Sequence, residues 1–171
     1  AVSFLVTMLR HILCVTAVLL VICVTDIELS SESMKSITSG FMKALDECRN
    51  EMNLSDQVIR DLYFYWKEDF TSLHRETGCA IVCMSRKLNL IDVTGKIHHG
   101  NTKEFAMSHG ADDTVAAKMV EALHDCEKQS EEVADHCMRA LEIAKCFRTS
   151  IDQLNWTPKM DVIITEVLTD I

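Results

Sequence analysis

Proline and glycine are scarce: Pro158 is the only proline in 171 residues, and there are five glycines. With so few glycines the chain has no glycine-rich calcium loop. That argues against the small secreted lipid hydrolases that His124-Asp125-Cys126 would otherwise suggest. Those enzymes also place a second aspartate against the water-activating histidine, and adjacent residues on a helix do not face one another. No strand-like alternation, hairpin signal or internal repeat stands out. Bases are outnumbered, 17 lysines and arginines against 26 aspartates and glutamates. This deficit argues against nucleic acid, against anionic membrane surfaces and against membrane attack, which all call for a basic face. Nor is there an apolar run of the ~20 residues that a membrane span needs.

The longest apolar run, Ile12 to Val24, has 13 residues, follows Arg10 and His11, and is bounded by Asp26 and Glu28. Its length and flanks are those of a signal-peptide core. Residues 1–29 are therefore read as an export signal, with Met8 as a normal start that leaves residues 1–7 upstream of it. The mature chain then begins near Ser30 or Ser31, and residues 30–171 make one domain of ordinary size. Residues 1–29 hold one base, Arg10, and two acids, Asp26 and Glu28, so the remainder carries 16 bases, 24 acids and a formal charge of −8.

Cys14 and Cys23 leave with the signal, and eight cysteines become six: Cys48, Cys79, Cys83, Cys126, Cys137 and Cys146. An exported chain with an even count usually oxidises all of them. A domain of this size already buries roughly 68% of its unfolded surface, so three cross-links exceed what its core needs. They point to helices held rigidly around an internal apolar cavity, a carrier and not a catalyst.

The expected architecture is all-α, with six helices and an amphipathic tail. Met34, Ile37, Phe41, Leu45 and Cys48 recur every three or four residues, the stripe of a first helix. Ser55 is placed to cap a second, through Val58, Leu62, Tyr65 and Trp66. A third is expected from about Arg75 to Leu88, followed by a loop from Asn89 to His99 that turns at Gly95. Asn101-Thr-Lys-Glu104 resembles a capping box for a short fourth helix ending at Gly110. Asp112 or Asp113 caps a fifth through Cys126, and Asp135 starts a sixth reaching Leu154.

Helix geometry limits the cysteine pairing. Cys79 and Cys83 lie side by side at i and i+4, while Cys137 and Cys146, nine residues apart, leave opposite faces of one helix. Excluding these two bonds leaves ten of fifteen pairings open. Each bond is worth ~3 kcal/mol through restriction of the unfolded chain.

The frame C-x30-C-x3-C-x42-C-x10-C-x8-C occurs with Ala44-Leu-Asp-Glu-Cys48, Arg75-Glu-Thr-Gly-Cys-Ala-Ile-Val-Cys83, His98-His-Gly-Asn101 and Leu154-Asn-Trp-Thr-Pro158. Together these resemble the insect odorant-binding proteins, and are most similar to the moth pheromone-binding proteins, over essentially the whole mature chain. General odorant-binding proteins of moths share the cysteine frame; the Leu154 to Pro158 segment and the apolar tail favour the pheromone-binding branch. The resemblance implies bonds Cys48–Cys83, Cys79–Cys137 and Cys126–Cys146. It also implies six helices enclosing a cavity for long-chain alcohols, aldehydes or acetates, in the fluid of olfactory hairs. It places the pocket lining on Met34, Phe41, Trp66, Ile81, Leu90, Ile91, Ile97, Phe105, Val120, Leu123 and Phe147. Ser85 falls where a hydroxyl meets the ligand's head group, with Thr38 and Arg139 as further polar candidates. Tyr65 stands where relatives have phenylalanine, and its hydroxyl either trims the cavity or offers a second polar contact.

Physical chemistry alone is less specific, because a Met or Phe at helical spacing is ordinarily core filling. An apolar pocket gains ~0.8 kcal/mol per buried methylene, so a long chain binds well with little selectivity, and a single hydrogen bond then selects the head group. From Met160 the apolar positions 160, 163, 164, 167, 168 and 171 form one helical stripe, with Asp161, Glu166 and Asp170 off its centre. At neutral pH these carboxylates keep the segment 158–171 solvated; protonated, it can fold as an amphipathic helix. In the resembling family such a tail enters the cavity at acidic pH and displaces the ligand. His98, His99 and His124 match that family's switch histidines, with Asp92 as a loop partner.

No cofactor is expected. A zinc site on the adjacent His98 and His99 is not expected either, since they show no obvious third and fourth ligand. The partners expected are a small hydrophobic ligand, the olfactory receptor membrane at acidic pH, and at most a weak homodimer. Asn53-Leu-Ser55 and Asn155-Trp-Thr157 are glycosylation sequons, the first more simply a helix cap.

Overall fold

A computed structural model describes residues 36–152 of the chain. Residues 1–35, which include Met34, and the tail with Asp161, Glu166 and Asp170 lie outside the described residues. Six helices follow one another: α1 over residues 36–52, α2 Gln57–Trp66, α3 Arg75–Lys87, α4 His99–Ser108, α5 Asp113–Gln129 and α6 His136–Asp152. Among the described residues the one β feature is an isolated antiparallel bridge between Ile91 and Ile97. The fold is all-α.

Helix ends follow local chemistry in some places and tertiary demand in others. Asn53 and Asn89 adopt left-handed backbone (φ +51° and +57°) after α1 and α3, and the next amides, of Leu54 and Leu90, reach back to the carbonyls of Arg49 and Ser85. Asparagine tolerates that conformation better than other side chains do, so it stops a helix much as glycine would. Asp112 accepts from the Val115 amide at 2.8 Å and Asp135 from the Met138 amide at 2.9 Å, capping α5 and α6 as their sequence positions suggest.

Two caps differ from the sequence expectation. The Ser55 hydroxyl does not cap α2; together with its own amide it donates to the Glu76 carboxylate in the first turn of α3. The α4 cap is His98, whose Nδ1 accepts from the Asn101 amide. Asn101 instead lies inside α4 and donates from its side chain to the Asn89 carbonyl at 2.9 Å. In both cases a partner brought from elsewhere in the fold outcompetes the local cap.

Among α2 to α6, α3 and α6 form the most extensive pair. A Cβ built on Gly78 would stand 2.0 Å from the Cys137 carbonyl oxygen and 2.7 Å from its carbon, so only glycine permits this approach of the two backbones. The Cys79–Cys137 disulfide closes beside it, with Cα atoms 4.5 Å apart. Cys48–Cys83 joins α1 to α3, and Cys126–Cys146 joins α5 to α6. Of the ten pairings open to helix geometry, the fold uses the one that the family resemblance implies.

A buried carboxylate reinforces the same region from the other side. Asp61 on α2 is wholly buried and accepts from the Thr77 hydroxyl (2.6 Å), the His74 amide (2.6 Å) and the Gln57 side chain (2.7 Å). The His74 ring stands 3.1 Å from both its oxygens. Burial alone would raise the Asp61 pKa, but these hydrogen bonds outweigh it and hold the carboxyl below the usual carboxylate range.

Among the described residues, many of the buried apolar side chains gather in two clusters. One centres on Ile37, Ala106, Ala111 and Ala116, the other on Ala44, Leu45, Cys48, Val58, Ala80 and Met84, and Phe41 packs against both. Side chains of both clusters border a cavity.

Candidate ligand-binding cavity

A cavity of about 260 Å³ lies between these clusters, walled almost entirely by apolar side chains from every helix and from the loop before α4. Its size is near the lower end of small-molecule pockets, roughly 300 Å³ upward. Phe41 and Phe105 meet edge to face across α1 and α4, with ring centroids 5.5 Å apart. Tyr65 and Trp66 do the same at the end of α2, at 5.2 Å. These four rings, with Ile81, Leu90, Ile91, Ile97, Leu123 and Phe147, bring together most of the residues singled out from sequence. Thr38, Ser85 and Arg139 are also in the wall.

Val120 is not. It is half-buried on α5, one position round the helix from Met119, and it is Met119 and Leu123 that face the cavity. The spacing of α5 was legible but its rotation about its own axis was not. Sequence reasoning also passed over Ile143, Ala144 and Ile151 on α6 and Thr102 and Ala106 on α4, which are among the further residues of the wall. Spacings of three or four residues, from Phe147 on α6 and from Phe105 to Thr102 and on to Ala106 on α4, were the available signal.

The polar inventory of the wall is short and uneven. The Tyr65 hydroxyl donates to the Ala144 carbonyl at 3.0 Å, so its proton is committed to α6 and its ring is the part that lines the cavity. Burial pushes its pKa well above the ordinary phenol value. Arg139 donates from Nε to the Val133 carbonyl at 2.7 Å, which anchors it to the turn before α6. Two hydroxyls are different: Thr38 Oγ1 and Thr102 Oγ1 are buried and have no hydrogen-bond partner among the described residues. Leaving a buried hydroxyl unsatisfied costs about 1–3 kcal/mol.

One wall is a small hairpin over residues 90–98. The Ile91–Ile97 bridge pairs two lining residues, the turn passes through Gly95 at φ +87°, and the His98 amide donates to the Leu90 carbonyl at 2.8 Å. Asp92 was expected to partner the histidines, but among the described residues it is turned inward on its own loop. Its Oδ1 accepts from the Thr94 hydroxyl, the Thr94 amide and the Lys96 amide. Those bonds, the Thr94 hydroxyl first, hold its pKa below the usual carboxylate range. The hairpin is tied to α5 by the Ile97 amide, which donates to Glu127 Oε1 at 2.9 Å. The rings of His99 and His124 stand nearby, edge to face, with centroids 5.0 Å apart.

No helix among the described residues is long and apolar enough to cross a membrane. Residues 30–150 match the model of the PBP/GOBP family. The chain is 43% identical over 145 residues to Pheromone-binding protein 2 of Epiphyas postvittana, covering 85% of this chain and 88% of that protein. It is 42% identical over 135 residues to General odorant-binding protein 1 of Heliothis virescens, covering 79% and 82%. The fold superposes on the crystal structure of Epiphyas postvittana Pheromone Binding Protein 3 with a TM-score of 0.65 and 61% identity, over 68% of this chain and 99% of that one. Cysteine frame, disulfide pairing, apolar cavity and these relatives agree: the chain belongs to the PBP/GOBP family.

Proposed function

We propose that this protein is an exported carrier, not an enzyme, that solubilises a long-chain pheromone or odorant in its internal cavity. The observation that carries the reading is the 260 Å³ apolar space left open between two packed clusters in a family whose named relatives bind pheromones and general odorants. Interiors normally pack without such voids, and an empty apolar cavity costs stability, which a hydrocarbon guest restores.

The ligand class follows from the wall: a flexible chain of alcohol, aldehyde or acetate type with one polar end. Thr38, Thr102 and Ser85 are hydroxyl-bearing residues of the wall and are the candidates for a head-group contact. The near-equal identity to a pheromone-binding and a general odorant-binding relative favours including plant volatiles among the candidate ligands. Release at acidic pH is assigned to the tail, where protonation of Asp161, Glu166 and Asp170 lets the apolar stripe compete for the cavity.

The test is displacement of a fluorescent apolar probe by long-chain acetates, aldehydes, alcohols and plant volatiles, at pH 7 and pH 5. Micromolar or tighter binding at pH 7, lost at pH 5 and retained at pH 5 after deletion of the residues beyond Pro158, is the expected result. Thr102→Val should leave chain-length preference intact while flattening head-group preference. Absence of displaceable binding at both pH values, in protein without free thiols, overturns the carrier reading.

A further inference from the structure

The fold brings together three ligand-type side chains that are distant in sequence. His99 opens α4, while His124 and Glu127 sit one turn apart on one face of α5. One coordinating atom from each lies within 4.8 Å of the others. His124 Nδ1 is 4.0 Å from Glu127 Oε2. The other oxygen of Glu127 accepts the Ile97 amide, so the carboxylate is oriented by the hairpin and Oε2 stays turned to the histidines. Both histidines are exposed, which leaves their rings free to close to the ~3.3 Å ligand separation of a tetrahedral site with ~2.0–2.1 Å zinc bonds. His98 is not part of the set, because its Nδ1 caps α4.

We propose that His99, His124 and Glu127 form a binding site for a divalent transition metal that fastens the cavity's hairpin wall to α5. Two imidazoles and one carboxylate suit Zn²⁺ or Cu²⁺ and not the hard, oxygen-seeking Ca²⁺ or Mg²⁺. All six cysteines of the described residues are spent in disulfides and do not compete. A fourth, open position is left to water. The formal charge of −8 on residues 30–171 favours a cation. The expectation of no metal considered only the adjacent His98 and His99; the missing ligands come from another helix. Metal at this point would join the head of α4 to α5 directly and to the hairpin through Glu127. Since Ile91, Ile97 and Leu123 line the cavity, occupancy should slow traffic through that wall.

The test is calorimetric titration of chelator-treated, oxidised full-length protein with Zn²⁺, repeated with Mg²⁺. The expected result is one saturable Zn²⁺ site, no Mg²⁺ site, a higher melting temperature with Zn²⁺, and slower loss of an apolar probe. His99→Ala and His124→Ala should each weaken Zn²⁺ binding by about tenfold or more. His98→Asn, which keeps a cap on α4, should not. Circular dichroism checks that each variant is folded. No saturable Zn²⁺ binding, or binding that neither His99→Ala nor His124→Ala weakens, overturns the proposal. Failure of the probe to bind would count against the carrier reading and leave the metal titration intact.

Discussion

The α3–α6 seam and the 90–98 hairpin both wall the cavity, and they are held in contrasting ways. At the seam, two backbones touch at Gly78, the Cys79–Cys137 bond closes beside them, and the buried Asp61 gathers donors from α2, α3 and the turn before α3. Arg75 adds a 2.7 Å pair to Asp135, the residue that caps α6. The hairpin has no disulfide. It closes on its own hydrogen bonds, carries a nearly fully exposed Val93, and reaches α5 through the Ile97 bond to Glu127. The seam is closed covalently and the hairpin by hydrogen bonds alone, so local opening of the hairpin breaks no covalent link.

The largest effect should come from Gly78→Ala. A methyl group directed at a backbone carbonyl cannot be accommodated by a side-chain rotation, so α3 and α6 must part, at a cost of about 3 kcal/mol in urea unfolding. A loss below ~1 kcal/mol would show that the seam has slack and would dissolve the contrast with the hairpin.

Asp61→Asn comes next, at about 2 kcal/mol at pH 7, because an amide accepts fewer of the converging hydrogen bonds. The carboxyl is depressed in the folded state, so its contribution is present above the unfolded value of ~3.9 and is lost as pH falls through the folded value. The difference between wild type and variant should therefore be the same at pH 7 and pH 5 and shrink only below about pH 4. Unfolding curves across that range check it. Agreement would mean that the seam holds at the mildly acidic pH proposed for release.

Gly95→Ala should have the smallest global effect, about 1 kcal/mol, because its positive φ strains any side chain. The informative readout is hydrogen exchange. The Ile97 and His98 amides should exchange faster while those of Ala80 and Met84 in α3 do not change. Equal acceleration at both places would mean that hairpin and seam open as one unit.

Much of this was legible along the chain. The stripe Ile37, Phe41, Leu45 and Cys48, the caps at Asp112 and Asp135, and the turn at Gly95 depend on neighbours within one or two helical turns, and the structure keeps them. Ser55 and Asn101 were misjudged because their polar atoms answer to Glu76 and Asn89, which only folding brings near. Val120 differs from Met119 by one step round a helix, and no periodicity measured on α5 alone says which of the two faces the cavity.

Sequence by itself determined the helical class and the six-cysteine frame, because helical period and covalent spacing are properties of the chain as a line. Packing decided the rest. It selected one pairing out of the ten that helix geometry allowed, buried Thr38 and Thr102 in the cavity wall, and set His99 against His124 and Glu127. Each of these depends on how far apart and at what rotation two helices lie. That is settled where side chains and bare backbone meet, as at Gly78 and Cys137, and not by any residue's own preference.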